Sequence, residues 1–167
     1  MIRAVAAAMP EWRLGGFFTE EIRTGRQRQG FSLVTLGGQR TTMAHVLHVH
    51  GPRVGKYHVD VAAIDGMARG ALARSEAIDL YLVDEIGRME CLSPAFVVGM
   101  RALLDAGLPI VATIGLRGGG FIDEVKHRPD VVLWEITRAN RDAMPAQVEA
   151  WIKRRAVHRQ EDGNGYE

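Results

Sequence analysis

The run IDLYLVDEIG, residues 78–87, constrains the fold more than any other stretch of this chain. Six residues from Ile78 to Val83 are interrupted only by Asp79, and two carboxylates, Asp84 and Glu85, close the run. A short, continuously apolar segment of this kind is buried on both faces, as strands of a parallel sheet are, rather than alternating between core and water. LPIVATIG and VVLWEIT read the same way. The segments between them have helical spacing. DGMARGALARSEA is amphipathic, Ser93-Pro94 opens a helix that runs through Asp105 and closes at Gly107, and GGGFIDEVKHRPD is a glycine-rich loop with a short helix. Strand and helix alternate through this half, which predicts a parallel sheet flanked by helices on both faces.

The first half has a different period. Ile2–Met9 is alanine-rich and helical, ending near Pro10. GGFFTEEIR and FSLVTL read as strands around the turn TGRQRQG, and RTTMAHVLHVH as a further strand of the same β-meander. NRDAMPAQVEAWIKRR supplies a closing helix. The predicted organisation is a single α/β domain over residues 1–156, a mostly parallel sheet with an inserted meander, followed by a polar tail over 157–167. With 167 residues, 47% hydrophobic and 25% charged, the chain is able to bury a core of that size. A formal net charge of +1 makes a broad nucleic-acid surface unlikely. Cys91 is the only cysteine, which fits a reducing cytoplasm. No apolar run approaches the ~20 residues of a membrane span, so no membrane partner is expected.

Open sheets of this type place their sites at the carboxyl ends of the strands. That rule selects Asp84 and Glu85, Thr113, and the segment Thr137 to Arg141. A hydrophobic strand ending in an acid is the Walker B pattern, in which the carboxylate holds Mg²⁺ and a following Glu polarises the attacking water. By spacing alone, a buried strand that ends in two solvated acids accounts for the same residues.

Four stretches, GGFFTEEIRTGRQRQGFSLVTL, GPRVGKY, VDEIGRME and RPDVVLWEITRANRD, stand in this order and resemble the small P-loop nucleoside-triphosphatases of the THEP family, from about Gly15 to Arg141. The resemblance implies a P-loop NTPase-like fold and Mg²⁺-dependent hydrolysis of ATP, GTP and other nucleoside triphosphates. It implies Asp84 as the Mg²⁺ partner and Glu85 as the water-activating base. GPRVGKY then corresponds to a family motif downstream of the P-loop. It is not a phosphate cradle, because Gly51 stands too close to Gly55-Lys56 and Tyr57 replaces the small hydroxyl residue. Arg53 and Lys56 could still approach phosphates from the side; Arg53 is the better candidate, since a guanidinium clamps oxygens bidentately. Thr113 could bond the attacking water or the γ-phosphate, or serve only as a β-branched strand residue. Thr137, Asn140 and Arg141 follow the last strand, where many P-loop proteins hold their nucleotide base, and Thr137 or Asn140 would equally serve as a helix N-cap.

The family opens with a strand and a P-loop, yet no Gly-Lys-[Ser/Thr] occurs in these 167 residues. Met1-Ile2-Arg3 aligns with the start of the helix that follows the loop. The expectation is that the central first strand and the P-loop lie upstream of Met1. The alternative is a catalytically inactive relative that binds nucleotide or another protein. Two further clusters read as ordinary surface. His45, His48 and His50 read as exposed strand histidines rather than metal ligands, and Arg23, Arg26 and Arg28 as a solvated turn rather than an RNA contact.

Overall fold

The computed structural model describes residues 1–163, with side chains to Arg155. The chain divides into two compact units, Trp12–Val132 and Met1–Glu11 with the chain from Leu133 onward. No helix among the described residues is long and apolar enough to cross a membrane.

The larger unit is built on one seven-stranded sheet. Its strands are β1 (Leu14–Thr24), β2 (Gln27–Thr35), β3 (Arg40–His45), β4 (Arg53–Val54), β5 (Tyr57–Val59), β6 (Leu80–Ile86) and β7 (Ile110–Ile114). Their order is β4-β5-β3-β2-β1-β6-β7. Only β1–β6 and β6–β7 pair in parallel; β1–β2, β2–β3, β3–β5 and β4–β5 are antiparallel. The expected mostly parallel sheet is therefore a mixed one. The meander is not an insertion beside it but its continuation, because β1 pairs with β2 along one edge and with β6 along the other.

Leu80, Tyr81, Leu82 and Val83 are buried, as the continuous apolar run of β6 requires. The Tyr81 hydroxyl donates to the Ala73 carbonyl at 2.7 Å and accepts from Ser75 N–H at 3.0 Å, so its one polar atom is satisfied inside the core. Phe17, Phe96 and Phe121 meet edge to face, with centroids 6.1 and 6.5 Å apart. Helix α2 (Val61–Ala71) begins where Asp60 Oδ1 accepts from Ala63 N–H at 2.9 Å. It therefore starts four residues before the helix read from Asp65, and its cap ends the strand β5 just upstream. Helix α3 (Pro94–Asp105) matches its sequence signals: Ser93 caps it, Pro94 opens it, and Gly107 follows its end in the left-handed region. A short helix α4 (Phe121–Lys126) buries Phe121, Ile122 and Val125.

Three expectations are corrected. VVLWEIT forms no strand: residues 131–137 carry no regular secondary structure, and Val132, Leu133, Trp134 and Ile136 are 41–54% exposed. An apolar run becomes a strand only where a neighbour completes its ladder, and this run has none among the described residues. The strand read through His50 stops at His45, so His48 and His50 sit in a bend and share no strand face. The His45 ring accepts from Leu47 N–H at 3.1 Å, which turns the chain there. The β1–β2 turn is also tighter than read, with only Gly25 and Arg26 between the strands.

In the smaller unit, helix α1 (Ile2–Ala7) and helix α5 (Met144–Gly163) pack together. Ile2 and Val5 of α1, Met9 just after it, and Met144, Val148 and Ile152 of α5 form the apolar faces. Trp134 meets Trp151 edge to face at 5.8 Å. Of the expected polar tail, residues 157–163 continue α5 and 164–167 lie outside the described residues.

Gly16 crosses β6 at Leu82 with a φ of +99°. A methyl group there would collide with the Leu82 carbonyl oxygen. Gly66, inside α2, faces open space. Gly16→Ala is expected to cost at least ~2 kcal/mol of stability, whereas Gly66→Ala should be neutral or stabilise by up to ~1 kcal/mol. Urea midpoints of the two variants check this; equal shifts would contradict the close approach at Gly16.

Candidate active site

The parallel register sets the carboxyl end of β6 beside β1 and β7. Phe17 pairs with Val83 and Val83 with Ala112, so Asp84 and Thr113 follow directly on their strands, and Thr19 lies two residues beyond Phe17 on β1. The Thr19 hydroxyl donates to the Asp84 carbonyl at 2.6 Å. The Thr113 hydroxyl donates to Asp84 Oδ1. Asp84 is thus held from both sides, its main chain by one flanking strand and its carboxylate by the other. The Asp84–Glu85 peptide is cis.

Beyond Asp84 the chain turns through Gly87 into a short 3₁₀ turn, Glu90–Leu92. Gly87 has no room for a side chain. A Cβ there would stand 2.5 Å from Glu85 Oε1 and 2.6 Å from Glu90 Oε2. The glycine is therefore what allows two carboxylates to close on one backbone position. Glu85 is exposed at its end, but partial desolvation, followed by the neighbouring Asp84 charge, holds its pKa above the ordinary carboxylate range. Glu90 is 4% exposed. Burial, with the charges of Glu85 and Asp84 adding to it, pushes its pKa up to about 7, although it accepts from its own N–H and that of Gly87. Cys91 beside them is pushed up to about 12 by burial and by the Glu90 and Glu85 charges, so its thiol stays protonated and is no nucleophile.

Sequence reasoning did not single out Glu90 or Thr19. The signal for Glu90 was present in GRMECL, where an acid stands between Met89 and Cys91. Thr19 carried no signal before the pairing of β1 with β6 was known. Ser93, at the end of the same turn, donates to Asp65 of α2, and Ala95 N–H reaches the same carboxylate at 3.2 Å. That link ties the start of α3 to α2 and fixes the turn that carries Glu90.

The sheet order does not bring Arg53 and Lys56 to Asp84. Arg53 lies on β4, and Lys56 in the turn before β5, four to five strand spacings from β6, or about 19–24 Å measured along the sheet. Lys56 Nζ donates to the Arg28 carbonyl at 3.0 Å, and Arg53 is exposed. Thr137, Asn140 and Arg141 belong to the smaller unit. There Asn140 Oδ1 accepts from Thr137 N–H at 2.7 Å, its amide donates to the Glu135 carbonyl at 2.9 Å, and Arg141 pairs with Asp142 at 3.3 Å. Asn140 thus closes a turn ahead of α5. His45 and His48 are 5.8 Å apart ring to ring, and no metal-holding group of three or more His, Cys, Asp or Glu occurs among the described residues.

The NTPase family model matches residues 1–149. The chain belongs to the NTPase family. It is 35% identical over 140 residues to the nucleoside-triphosphatase THEP1 of Thermotoga maritima, an alignment covering 83% of this chain and 80% of that protein. Among solved structures it is similar to THEP1 of Aquifex aeolicus, with a TM-score of 0.77 at 29% identity, covering 88% of this chain and 89% of that one. It is also similar to a human cancer-related nucleoside triphosphatase, with a TM-score of 0.72 at 28% identity and 90% of each chain covered. The family resemblance and the α/β fold class read from the sequence are borne out by these likenesses.

In this NTPase-family chain the acids at the end of β6 have a measurable thermodynamic signature. The Glu90 pKa is raised on folding, so the folded state holds a proton that the unfolded state releases. Stability contributed by that proton is complete below about pH 4.5 and is lost as pH rises to about 7. Glu90→Gln removes the titration. The variant is expected to match the parent near pH 4.5 and to exceed it by about 3 kcal/mol above pH 7. Thermal melts across this range check it; a gap that does not change with pH would exclude a buried, proton-holding Glu90.

Proposed function

We propose that this chain, completed by an upstream strand and phosphate-binding loop, hydrolyses nucleoside triphosphates, ATP, GTP and others, to the diphosphate and phosphate, with Mg²⁺. The observation that carries the reading is the Asp84 carboxylate held by Thr113 at the carboxyl end of β6, with Glu85 next to it, in a chain of the NTPase family. The donors suit a hard divalent cation bound by one or two protein oxygens and completed by substrate phosphates. Asp84 would hold that ion, which would neutralise phosphate charge when bound. Glu85 orients the attacking water in line with the γ-phosphate and takes its proton at a carboxylate oxygen; its raised pKa makes it a better acceptor than an ordinary surface Glu. Thr113 donates to Asp84 and keeps lone pairs for the same water. Arg53 and Lys56, four to five strands from β6, take no part in this reading. Thr137, Asn140 and Arg141 are proposed for the nucleotide base. A cytoplasmic setting is part of this reading, supported by the single cysteine.

The proposal includes a strand and phosphate-binding loop upstream of Met1. Two observations support it: the 167 residues hold no Gly-Lys-[Ser/Thr], and β7 is an end strand whose five residues all remain half-exposed. Translating the DNA upstream of the Met1 codon tests it. An in-frame strand followed by G-x-x-x-x-G-K-[ST] is expected. An in-frame stop before such a loop would favour an inactive relative that only binds.

The 167-residue chain should show at most trace Mg²⁺-dependent ATP hydrolysis, measured as phosphate release. In the upstream-extended protein, Glu85→Gln should lower kcat by roughly 10²–10⁴-fold with little change in nucleotide affinity. Asp84→Asn should also weaken binding of the Mg²⁺-nucleotide. If Glu85→Gln keeps more than about a tenth of the parent kcat, less than about 1.4 kcal/mol has been lost from the transition state and the base assignment fails.

A further inference from the structure

Six of the 21 lysines and arginines fall on the meander and on the turn beside it. β1 pairs with β6 only over Leu14–Phe17, and Thr19–Thr24 run on beyond it, paired with β2 alone. The resulting two-stranded tip carries Arg23, Arg26 and Arg28, all exposed. Across β3, the β4–β5 turn brings in Lys56, tied to the tip by its hydrogen bond to the Arg28 carbonyl at 3.0 Å. Residues 20–28, 40 and 53–57 hold six cations and two carboxylates. Both acids are engaged. Glu21 pairs with Arg23 and Arg28, and Glu20 with Arg40 at 2.5 Å. The side chains of Arg23 and Arg28 remain 50% and 44% exposed despite their pairing.

Planar groups alternate with these cations. The Arg28 guanidinium lies over the Phe31 ring at 5.4 Å, Phe31 meets Tyr57 edge to face at 5.1 Å, and Lys56 Nζ lies over the Tyr57 ring at 5.4 Å. Arg28 and Lys56 are each held against a ring, so part of the ordering cost of binding is met before any ligand arrives. A strip of cations and stacking planes suits a polymer that alternates phosphates with flat bases. An acidic peptide has no plane to set against each charge, and a duplex keeps its base faces stacked away from such a strip. β1 runs parallel to β6, so the tip stands on the side of the sheet where Asp84 and Glu85 lie.

We propose that the β1–β2 tip and the adjoining β4–β5 turn form a docking strip for single-stranded nucleic acid, with Arg23, Arg26 and Lys56 on the phosphates and the Arg28 guanidinium plane, backed by Phe31 and Tyr57, against the bases. The inference is independent of hydrolysis and is tested on the 167-residue chain. Fluorescence anisotropy of a short labelled single-stranded oligonucleotide is measured against salt, with the matching duplex and polyglutamate as competitors. Binding is expected with a log–log salt slope of about −2, for three phosphates neutralised. The double variant Arg26→Ala/Arg28→Ala should weaken it at least tenfold and flatten the slope by about one, with an unchanged circular-dichroism spectrum. Tyr57→Leu should weaken it while leaving the slope in place. No binding, equal affinity in the double variant, or polyglutamate or duplex competing as well as the single strand would each overturn the proposal.

Discussion

A parallel strand is able to present a carboxylate at its end only if its backbone is paired on both edges, and β6 is the one strand in this sheet whose two neighbours are both parallel to it. The pairing with β1 brings Thr19 to the Asp84 carbonyl, and the pairing with β7 brings Thr113 to its carboxylate. Without either neighbour the same acids would be mobile side chains on a frayed end. The burial of Leu80 to Val83 holds the register, because a slip of one residue would carry Asp79 or Asp84 into the buried stretch.

That arrangement also explains the electrostatics of the site. Three carboxylates lie within seven residues, and the turn at Gly87 folds two of them onto one backbone position. Like charges and desolvation then act in the same direction, and the innermost group, Glu90, responds most. Three arginines, Arg23, Arg26 and Arg28, lie instead on the hairpin that β1 forms with β2.

Much of this was legible in the sequence, for physical reasons that differ by element. Ser93, Pro94 and Gly107 mark α3 through local chemistry, so its limits could be read without knowing its neighbours. β6 was legible because a doubly buried strand leaves an unbroken apolar run, and β7 carries the same kind of run although its residues are only partly buried. The same rule misread 131–137, since apolar sequence does not report whether a pairing partner exists. The start of α2 was hidden because Asp60 caps it directly after a strand, and an aspartate in HVDVAAI reads equally well as an outward strand residue. At the site, the Asp84-Glu85 pair announces itself by position. Glu90 is buried by a turn that only the fold makes, and the distance of Arg53 and Lys56 from β6 follows from a strand order that no local pattern encodes.

The Arg13–Asp79 clasp at the foot of β1 and β6 has a consequence for how the chain assembles. The guanidinium grips the carboxylate at 2.6 and 3.0 Å, Arg13 N–H adds a third bond at 2.8 Å, and Arg13 holds the Asp79 pKa down to about 2. The two residues are 66 apart in sequence, whereas β1 and β2 meet across a two-residue turn. Closing the longer loop costs about 3 kcal/mol more in chain entropy. The hairpin is thus the inexpensive contact and the β1–β6 seam the costly one, with the clasp set where that seam begins. The basic half of the sheet is free to form early, and the acidic end of β6 takes shape only when distant parts of the chain have already met.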